Sequence, residues 1–316
     1  MATARSLTGR VTWLRRMDIL PTHAGPPAPP VGLAPKYRQP CAAVNATADA
    51  CPPRHSAASL SAMSSLQLAG TYDRHVAASV ARIRENVLDW EHLPALHAGS
   101  FAACELVDMD ADGWRVRLTA AGDSRPQTLK LYIAADTSQY RVVTEAGPGE
   151  TSEIRVTVRE TGPHAARVHV EYHVPVSDPA MLAMIGKGFV AIYERLWDED
   201  EAMMQAREAA LTPRPRALDR VDLGPEVDLV LPRDFDLGSG RFRLVRHRGG
   251  LLAHSRVCPH WLGPLDVPID ADGCLTCPWH GYRFDAATGR SADGRTLRLA
   301  AAPTITIEAG QVIACA

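Results

Sequence analysis

The feature that most limits how this chain can fold lies near its C-terminal end, in the stretch CPHWLGPLDVPIDADGCLTCPWHGYRFD. One residue separates Cys258 from His260, sixteen residues follow, and two residues then separate Cys277 from His280. Two thiolates and two imidazoles on paired loops can bind either zinc or a [2Fe-2S] cluster. Short strands and frequent glycines over residues 218–316 predict the small all-β module that would carry these loops.

The residues that flank these four side chains favour the iron–sulfur alternative. CPH is followed by GPL, and CPWHGYRFD is soon followed by TGR, and both stretches resemble the two loops of a Rieske [2Fe-2S] domain. The resemblance implies that Cys258 and Cys277 hold one iron, while neutral His260 and His280 hold the other. Replacing two thiolates by imidazoles raises the reduction potential above that of an all-cysteine cluster.

Two further positions in the loops indicate the type of Rieske domain. The high-potential respiratory members of the family carry an additional cysteine in each loop, and the two cysteines form a disulfide. Gly263 and Trp279 occupy those places here. The chain therefore resembles the low-potential type found in oxygenases and ferredoxins.

A second group of candidate ligands lies at residues 89–97, in DWEHLPALH. The preceding segment, residues 74–90, has apolar residues at helical spacing and predicts an amphipathic helix. On an unbroken helix, His92 and His97 would diverge by about 140° around the axis and could not bind one ion. Pro94 predicts a break in the helical hydrogen bonds that would redirect His97.

The spacing of an aspartate, two residues, a histidine, four residues and a second histidine resembles the mononuclear-iron motif of Rieske non-haem iron oxygenases. Glu85 and Asn86 precede the motif, as in many members. The resemblance implies that His92 and His97 bind Fe(II), and that Asp89 bridges this site to a Rieske histidine, which we expect to be His280. A simple helix end with one satisfied histidine is the plainer interpretation of the same residues.

Two histidines require a carboxylate to complete the facial triad that binds Fe(II) and leaves positions open. A long helix is predicted from Asp178-Pro179 to the TPRPR stretch. Asp200 lies on its inward apolar stripe, where a metal would compensate the cost of burying the carboxylate. Asp198 is the alternative ligand, although it belongs with Glu194 and Glu201 on the opposite face.

The chain divides into three segments by composition and pattern. Residues 1–65 are rich in Ala, Pro, Ser and Thr, and predict a disordered or spurious extension, with a targeting segment as the other interpretation. Residues 70–212 predict a helix, five alternating strands and a long helix, and residues 218–316 the all-β module. The expected fold class is α+β: a helix-grip (START or Bet v1-like) catalytic domain followed by the Rieske domain.

The order of these two domains differs from that of the family. In the familiar oxygenases the Rieske domain precedes the catalytic domain, and electrons pass between neighbouring subunits of a ring. Here the Rieske module comes last, and only 102 residues separate His97 from Asp200. The resemblance alone implies a homotrimer.

These features predict a Rieske-type oxygenase with two cofactors, a [2Fe-2S] cluster and mononuclear Fe(II). We expect a ferredoxin or flavin reductase as electron donor. The substrates would be O2 and a small apolar or aromatic molecule, and the organic molecule would be hydroxylated, demethylated or desaturated. A non-catalytic Rieske electron carrier fused to a ligand-binding helix-grip domain, and a structural zinc module, are the alternatives. A net charge of -2 argues against nucleic-acid binding, no apolar run could span a bilayer, and the scattered cysteines predict a reducing, cytoplasmic location.

Overall fold

The computed structural model describes residues 66–316, and the predictions for residues 1–65 lie outside the described part of the chain. Seven antiparallel strands form one sheet in the order β1-β7-β6-β5-β4-β3-β2. The five segments that were predicted as strands correspond to β3 through β7. The sheet comprises β1 (Gln67–Val76), β2 (Phe101–Asp110), β3 (Gly113–Ala120), β4 (Pro126–Ile133), β5 (Gln139–Ala146), β6 (Glu153–Gly162) and β7 (Ala165–Val174).

Alternation along the strands explains why one face of the sheet is buried. In β3, Trp114, Val116 and Leu118 are buried, while Arg115 and Arg117 lie between them and form ion pairs with acidic residues on the outer face. Strands β4 to β7 follow the same rule with mainly valine, leucine and isoleucine on the inner face, whereas β2 is mostly exposed. The inner face requires a cover, and the long helix provides it.

The first helix is shorter than the sequence predicts. Strand β1 includes the segment up to Val76, and α1 spans only Val80–Leu88. The Ser79 hydroxyl caps α1 by accepting a hydrogen bond from the Arg82 amide. Because β1 pairs with β7 along its length, sheet pairing outweighs the helical spacing of the apolar residues in this segment.

The helical break near the two candidate histidines lies before His92 and not at Pro94. Helix α1 ends at Leu88, and the one-turn helix α2 (Leu93–Leu96) follows His92. Pro94 is in the first turn of α2, where a missing N–H removes no helical hydrogen bond. The prediction that Pro94 interrupts a continuous helix is therefore wrong, because the chain already turns at residues 89–92.

The long predicted helix is present as α3 (Pro179–Leu211). The Asp178 carboxylate accepts a hydrogen bond of 2.7 Å from the Met181 amide and caps its start. Phe189 and Trp197 of α3 pack with Trp114 and Tyr172 of the sheet in one core. A curved antiparallel sheet closed by a long C-terminal helix is the helix-grip arrangement that the sequence predicts.

The described residues after α3 are all-β, as predicted, apart from one 3-10 turn at Glu226–Asp228. It has a three-stranded sheet of order β11-β10-β9, a two-stranded sheet β12-β13, and a three-stranded sheet of order β14-β15-β8. Among residues 66–316, no helix has the length and apolarity needed to cross a membrane. The strands are β8 (Arg220–Pro225), β9 (Arg233–Leu237), β10 (Gly240–His247), β11 (Gly250–Ser255), β12 (Cys274–Thr276), β13 (Arg283–Asp285), β14 (Thr304–Glu308) and β15 (Gln311–Cys315).

Candidate metal centres

Three candidate ligands from distant parts of the sequence meet inside the helix-grip domain. His92 precedes α2, His97 follows it, and Asp200 lies on the buried face of α3. One ligand atom from each lies within 4.8 Å of the other two, and all three side chains have zero solvent exposure. Two imidazoles and one carboxylate are the donor set of a facial triad.

The hydrogen bonds around the triad orient the imidazole nitrogens toward one point. His92 Nδ1 lies 2.6 Å from the Asp89 carboxylate, and His97 Nδ1 lies 2.5 Å from the Glu199 carboxylate. A carboxylate accepts from the protonated nitrogen, so each Nε2 retains its lone pair. Both Nε2 atoms lie 3.2 Å from Asp200 Oδ1. The arrangement therefore provides two neutral imidazole donors opposite one carboxylate oxygen.

Two residues near the triad were given no role by the sequence analysis. The amide of Asn86 donates a hydrogen bond of 2.6 Å to Asp200 Oδ1, and Asn86 is fully buried. Glu199, the partner of His97, is part of an acidic run that is typical of a solvated helix face, and the sequence contains no signal that distinguishes it. Such partners fix the orientation and tautomer of metal ligands.

The alternative ligand Asp198 lies away from the triad. Its side chain is 71 % exposed and forms an ion pair of 2.6 Å with Arg74. Glu201 binds the same arginine and the Ala77 amide. Both residues thus secure α3 to the start of the domain, and of the two candidates only Asp200 is close to the histidines.

The four candidate cluster residues lie together on two loops of the all-β module. Cys258 and Cys277 are buried and their thiols contact each other. The rings of His260 and His280 lie 4.5 Å apart between centroids. The buried Nδ1 atom of His260 has no hydrogen-bond partner within residues 66–316, and the side chain of His280 contacts the Cys277 thiol. A buried imidazole nitrogen without a partner is costly, and coordination to iron would satisfy it.

The electrostatics of His260 and Cys277 fit ligands of a metal cluster, whereas Asp89 favours the protonated form of His280. Burial lowers the pKa of His260 to about 3, so its ring is neutral. The hydrogen bond with Cys258 lowers the pKa of Cys277 to about 5, against the effect of burial, while the same contact raises the pKa of Cys258. Burial would lower the pKa of His280, but the charge and hydrogen bond of Asp89 raise it to about 9.

Asp89 connects the two groups. Its Oδ2 lies 2.6 Å from His92 Nδ1 and 2.8 Å from His280 Nε2. The carboxylate is fully buried and is the C-cap residue of α1. Because Nε2 of His280 donates to Asp89, Nδ1 is the nitrogen that remains for a metal. One carboxylate oxygen thus links a ring of each candidate centre.

Comparison with known proteins covers the two parts of the chain separately. The model of the Rieske [2Fe-2S] domain family matches residues 221–303. The apoptosis-inducing factor 3 proteins of Mus musculus and Homo sapiens are 38 % identical over 61 residues, 19 % of this chain and 10 % of each relative. The ferredoxin component of an alkene monooxygenase system from Xanthobacter autotrophicus is 29 % identical over 80 residues, 25 % of this chain and 65 % of the relative.

The chain therefore spans a tenth of the first two relatives and just under two thirds of the third. A solved structure described as a START superfamily protein from Mycobacterium smegmatis is 23 % identical, with a TM-score of 0.36, covering 43 % of this chain and 95 % of that protein.

The segment that matches the Rieske family model contains all four candidate cluster residues. Residues 221–303 are thus a Rieske [2Fe-2S] domain, a type of domain that transfers electrons.

Proposed function

We propose that this protein is a Rieske-type oxygenase. Cys258 and Cys277 would hold one iron of a [2Fe-2S] cluster, and His260 and His280 the other. His92, His97 and Asp200 would hold mononuclear Fe(II). When bound, the cluster would supply electrons one at a time and the mononuclear iron would supply oxygen activation.

The observation that carries the proposal is the meeting of His92, His97 and Asp200 at a fully buried point. These residues are distant in sequence, and burying a carboxylate costs free energy that coordination of a metal would offset. A metal site therefore explains the arrangement better than a purely structural role does. Asn86 holds the carboxylate by its amide, and Glu199 holds His97 by Nδ1. These contacts fix the donor atoms before a metal binds.

The residues of the chain have three tasks in this function. Asp89 keeps a proton on His92 Nδ1 and another on His280 Nε2, and thereby gives electrons a short path between the two rings. The zero exposure of the triad excludes bulk water from the site. Apolar side chains such as Phe101, whose ring centroid is 6.2 Å from that of His97, favour a small apolar or aromatic substrate. A ferredoxin or flavin reductase would donate electrons to the Rieske cluster.

Iron counting tests the proposal directly. Purified protein should contain three irons and two acid-labile sulfides per chain, and His92→Ala should lower the iron count to two without loss of sulfide. The matched control is His169→Ala, because His169 is on the outer sheet surface and pairs with Asp73. Nitric oxide added to the reduced protein should give the paramagnetic resonance signal of ferrous iron with an open position, and His92→Ala should abolish that signal.

The alternative is a non-catalytic electron carrier, and the similarity to a ferredoxin component is the observation that favours it. Two irons per chain, unchanged by His92→Ala, would establish the carrier and refute the oxygenase. A colourless protein that contains zinc and lacks sulfide would refute both.

A further inference from the structure

We propose that the Rieske domain delivers electrons to the mononuclear site of its own chain, and that Arg207 is the positioning residue that holds the two centres together. The inference rests on the proposed function and concerns the geometry of electron delivery. Its starting point is that the contact between His280 and Asp89 joins residues 191 positions apart in one chain. A single chain thus contains the whole path from the Rieske loop to His92.

Arg207 makes three contacts that hold the first Rieske loop against the helix-grip domain. Its Nε donates to the Glu85 carboxylate of α1 at 2.5 Å, and its Nη1 donates to the Trp261 carbonyl at 3.0 Å. The guanidinium also lies 4.4 Å from the centroid of the Trp261 ring. Trp261 directly follows the candidate ligand His260. The planar guanidinium suits this combination of a carboxylate, a carbonyl and an aromatic face, and a lysine would not.

Helix α3 couples this contact to the mononuclear site. Arg207 lies seven residues after Asp200, about two helical turns, so both point to the same side. Between them, Met203 packs in the core of the Rieske loops and Met204 in the core of the helix-grip domain. One helix face therefore positions a ligand of the mononuclear site and the loop of the cluster at once.

A second contact supports the same docking at the other Rieske loop. The Tyr282 hydroxyl donates a hydrogen bond to the Glu91 carboxylate, adjacent to His92. The Tyr282 ring stacks on His260 with centroids 4.4 Å apart and an interplanar angle of 21°. Both loops of the Rieske domain are thus attached to the α1–α2 segment or to α3 of the same chain.

Spin relaxation of the reduced cluster tests delivery within one chain. Nitric oxide on the mononuclear iron makes a paramagnetic centre, which speeds relaxation of the cluster signal when the two are close. We expect this faster relaxation of the cluster signal in wild-type protein. We also expect it to persist when the protein is diluted until sedimentation shows only monomer. Chains with His92→Ala/His97→Ala lack ligands of the proposed mononuclear site, and chains with Cys258→Ala/Cys277→Ala lack ligands of the cluster. Co-expression of the two variants should not restore the faster relaxation of the cluster signal. Restoration in the mixture, or its loss from wild type on dilution, would overturn the inference.

Arg207→Gln and Arg207→Lys test the positioning role, with Arg214→Gln as the control. Arg214 is an exposed arginine paired with Asp236 and lies just beyond α3. Both Arg207 variants should keep three irons and two sulfides yet lose most of the relaxation effect, whereas Arg214→Gln should behave as wild type. Unchanged relaxation in the Arg207 variants would refute the role.

Hydrogen exchange keeps the docking testable without mononuclear iron. Peptides covering residues 85–97 and 258–265 should exchange faster in both Arg207 variants and not in Arg214→Gln. Two irons per chain would refute the proposed function, and exchange would still report the docking. Three irons with no relaxation effect in the wild-type monomer would refute delivery within the chain and leave the oxygenase proposal intact.

Discussion

The close approach of α3 to strand β1 yields a prediction about two glycines of the same helix. A Cβ on Gly186 would lie 2.0 Å from the Ala69 carbonyl oxygen, and ordinary contact begins at 3.4 Å. The helix would have to move away by about 1.4 Å, because a backbone carbonyl cannot rotate aside as a side chain can. A Cβ on Gly188 meets no atom of residues 66–316 within 4 Å.

The two substitutions should therefore change stability in opposite directions. Replacing a helical glycine by alanine contributes about 1 kcal/mol of stability, and overpacking costs about 1–3 kcal/mol. With the upper cost, Gly186→Ala should be destabilised by about 2 kcal/mol, and Gly188→Ala stabilised by up to about 1 kcal/mol. Each kcal/mol shifts Tm by roughly 2–4 °C for a chain of this size.

Thermal unfolding followed by circular dichroism measures both variants against wild type. Gly186→Ala should unfold about 4–8 °C below wild type and Gly188→Ala about 2–4 °C above it. Gly186→Ala should also bind less mononuclear iron, because the helix that moves carries Asp200. A Gly186→Ala protein at least as stable as Gly188→Ala would show that α3 does not contact the β1 backbone here, and would refute the reasoning.

Three further predictions concern single buried groups. Asn86→Ala removes the amide bound to Asp200, so metal titration should give a mononuclear iron affinity lowered roughly 10–100-fold with the cluster absorption unchanged. Burial lowers the pKa of His254 below 6.5, so the unfolded chain binds a proton that the folded chain excludes, and stability is lost as pH falls below 6.5. Urea unfolding at several pH values should therefore show that the free energy of unfolding falls less with decreasing pH in His254→Gln than in wild type. A Cβ on Gly263 would lie 3.0 Å from Cys277 Sγ, so Gly263→Ala should lower the visible cluster absorption while far-ultraviolet dichroism stays at the wild-type level.

The sequence was most informative where chemistry limits the choice of residues. The alternation in β3 to β7 and the caps of α3 led to correct elements, because burial of one sheet face and satisfaction of helix ends act locally. Asp200 was preferred to Asp198 because it lies on the inward helical stripe and because the family pattern agrees, and the structure places its carboxylate beside His92 and His97. The proximity of His92 and His97 was expected from the resemblance to the mononuclear-iron motif, although the prediction that Pro94 breaks the helix between them is wrong.

Other features depend on partners that are distant in sequence. The last three residues of strand β1, 74–76, were interpreted as the beginning of a helix, because the pairing of β1 with β7 brings together residues about one hundred positions apart. Glu199 and Arg207 each occur in ordinary charged helix sequence, and their partners His97 and Trp261 are known only from the fold. Local periodicity carries no information about such contacts, so it could not have assigned them.

The positions at which the chain enters and leaves the helix-grip domain bear on the proposed delivery of electrons within one chain. Strand β1 runs beside Gly186, near the start of α3, whereas Asp200 and Arg207 lie in its second half. The distance along the helix from Gly186 to Arg207 is about 30 Å at 1.5 Å per residue. A Rieske domain attached before β1 would have to span that distance to reach the site of its own chain, and a site on a neighbouring subunit is then the easier target. A Rieske domain attached after α3 begins at β8, thirteen residues after Arg207, so this order of domains favours the proposed delivery within one chain.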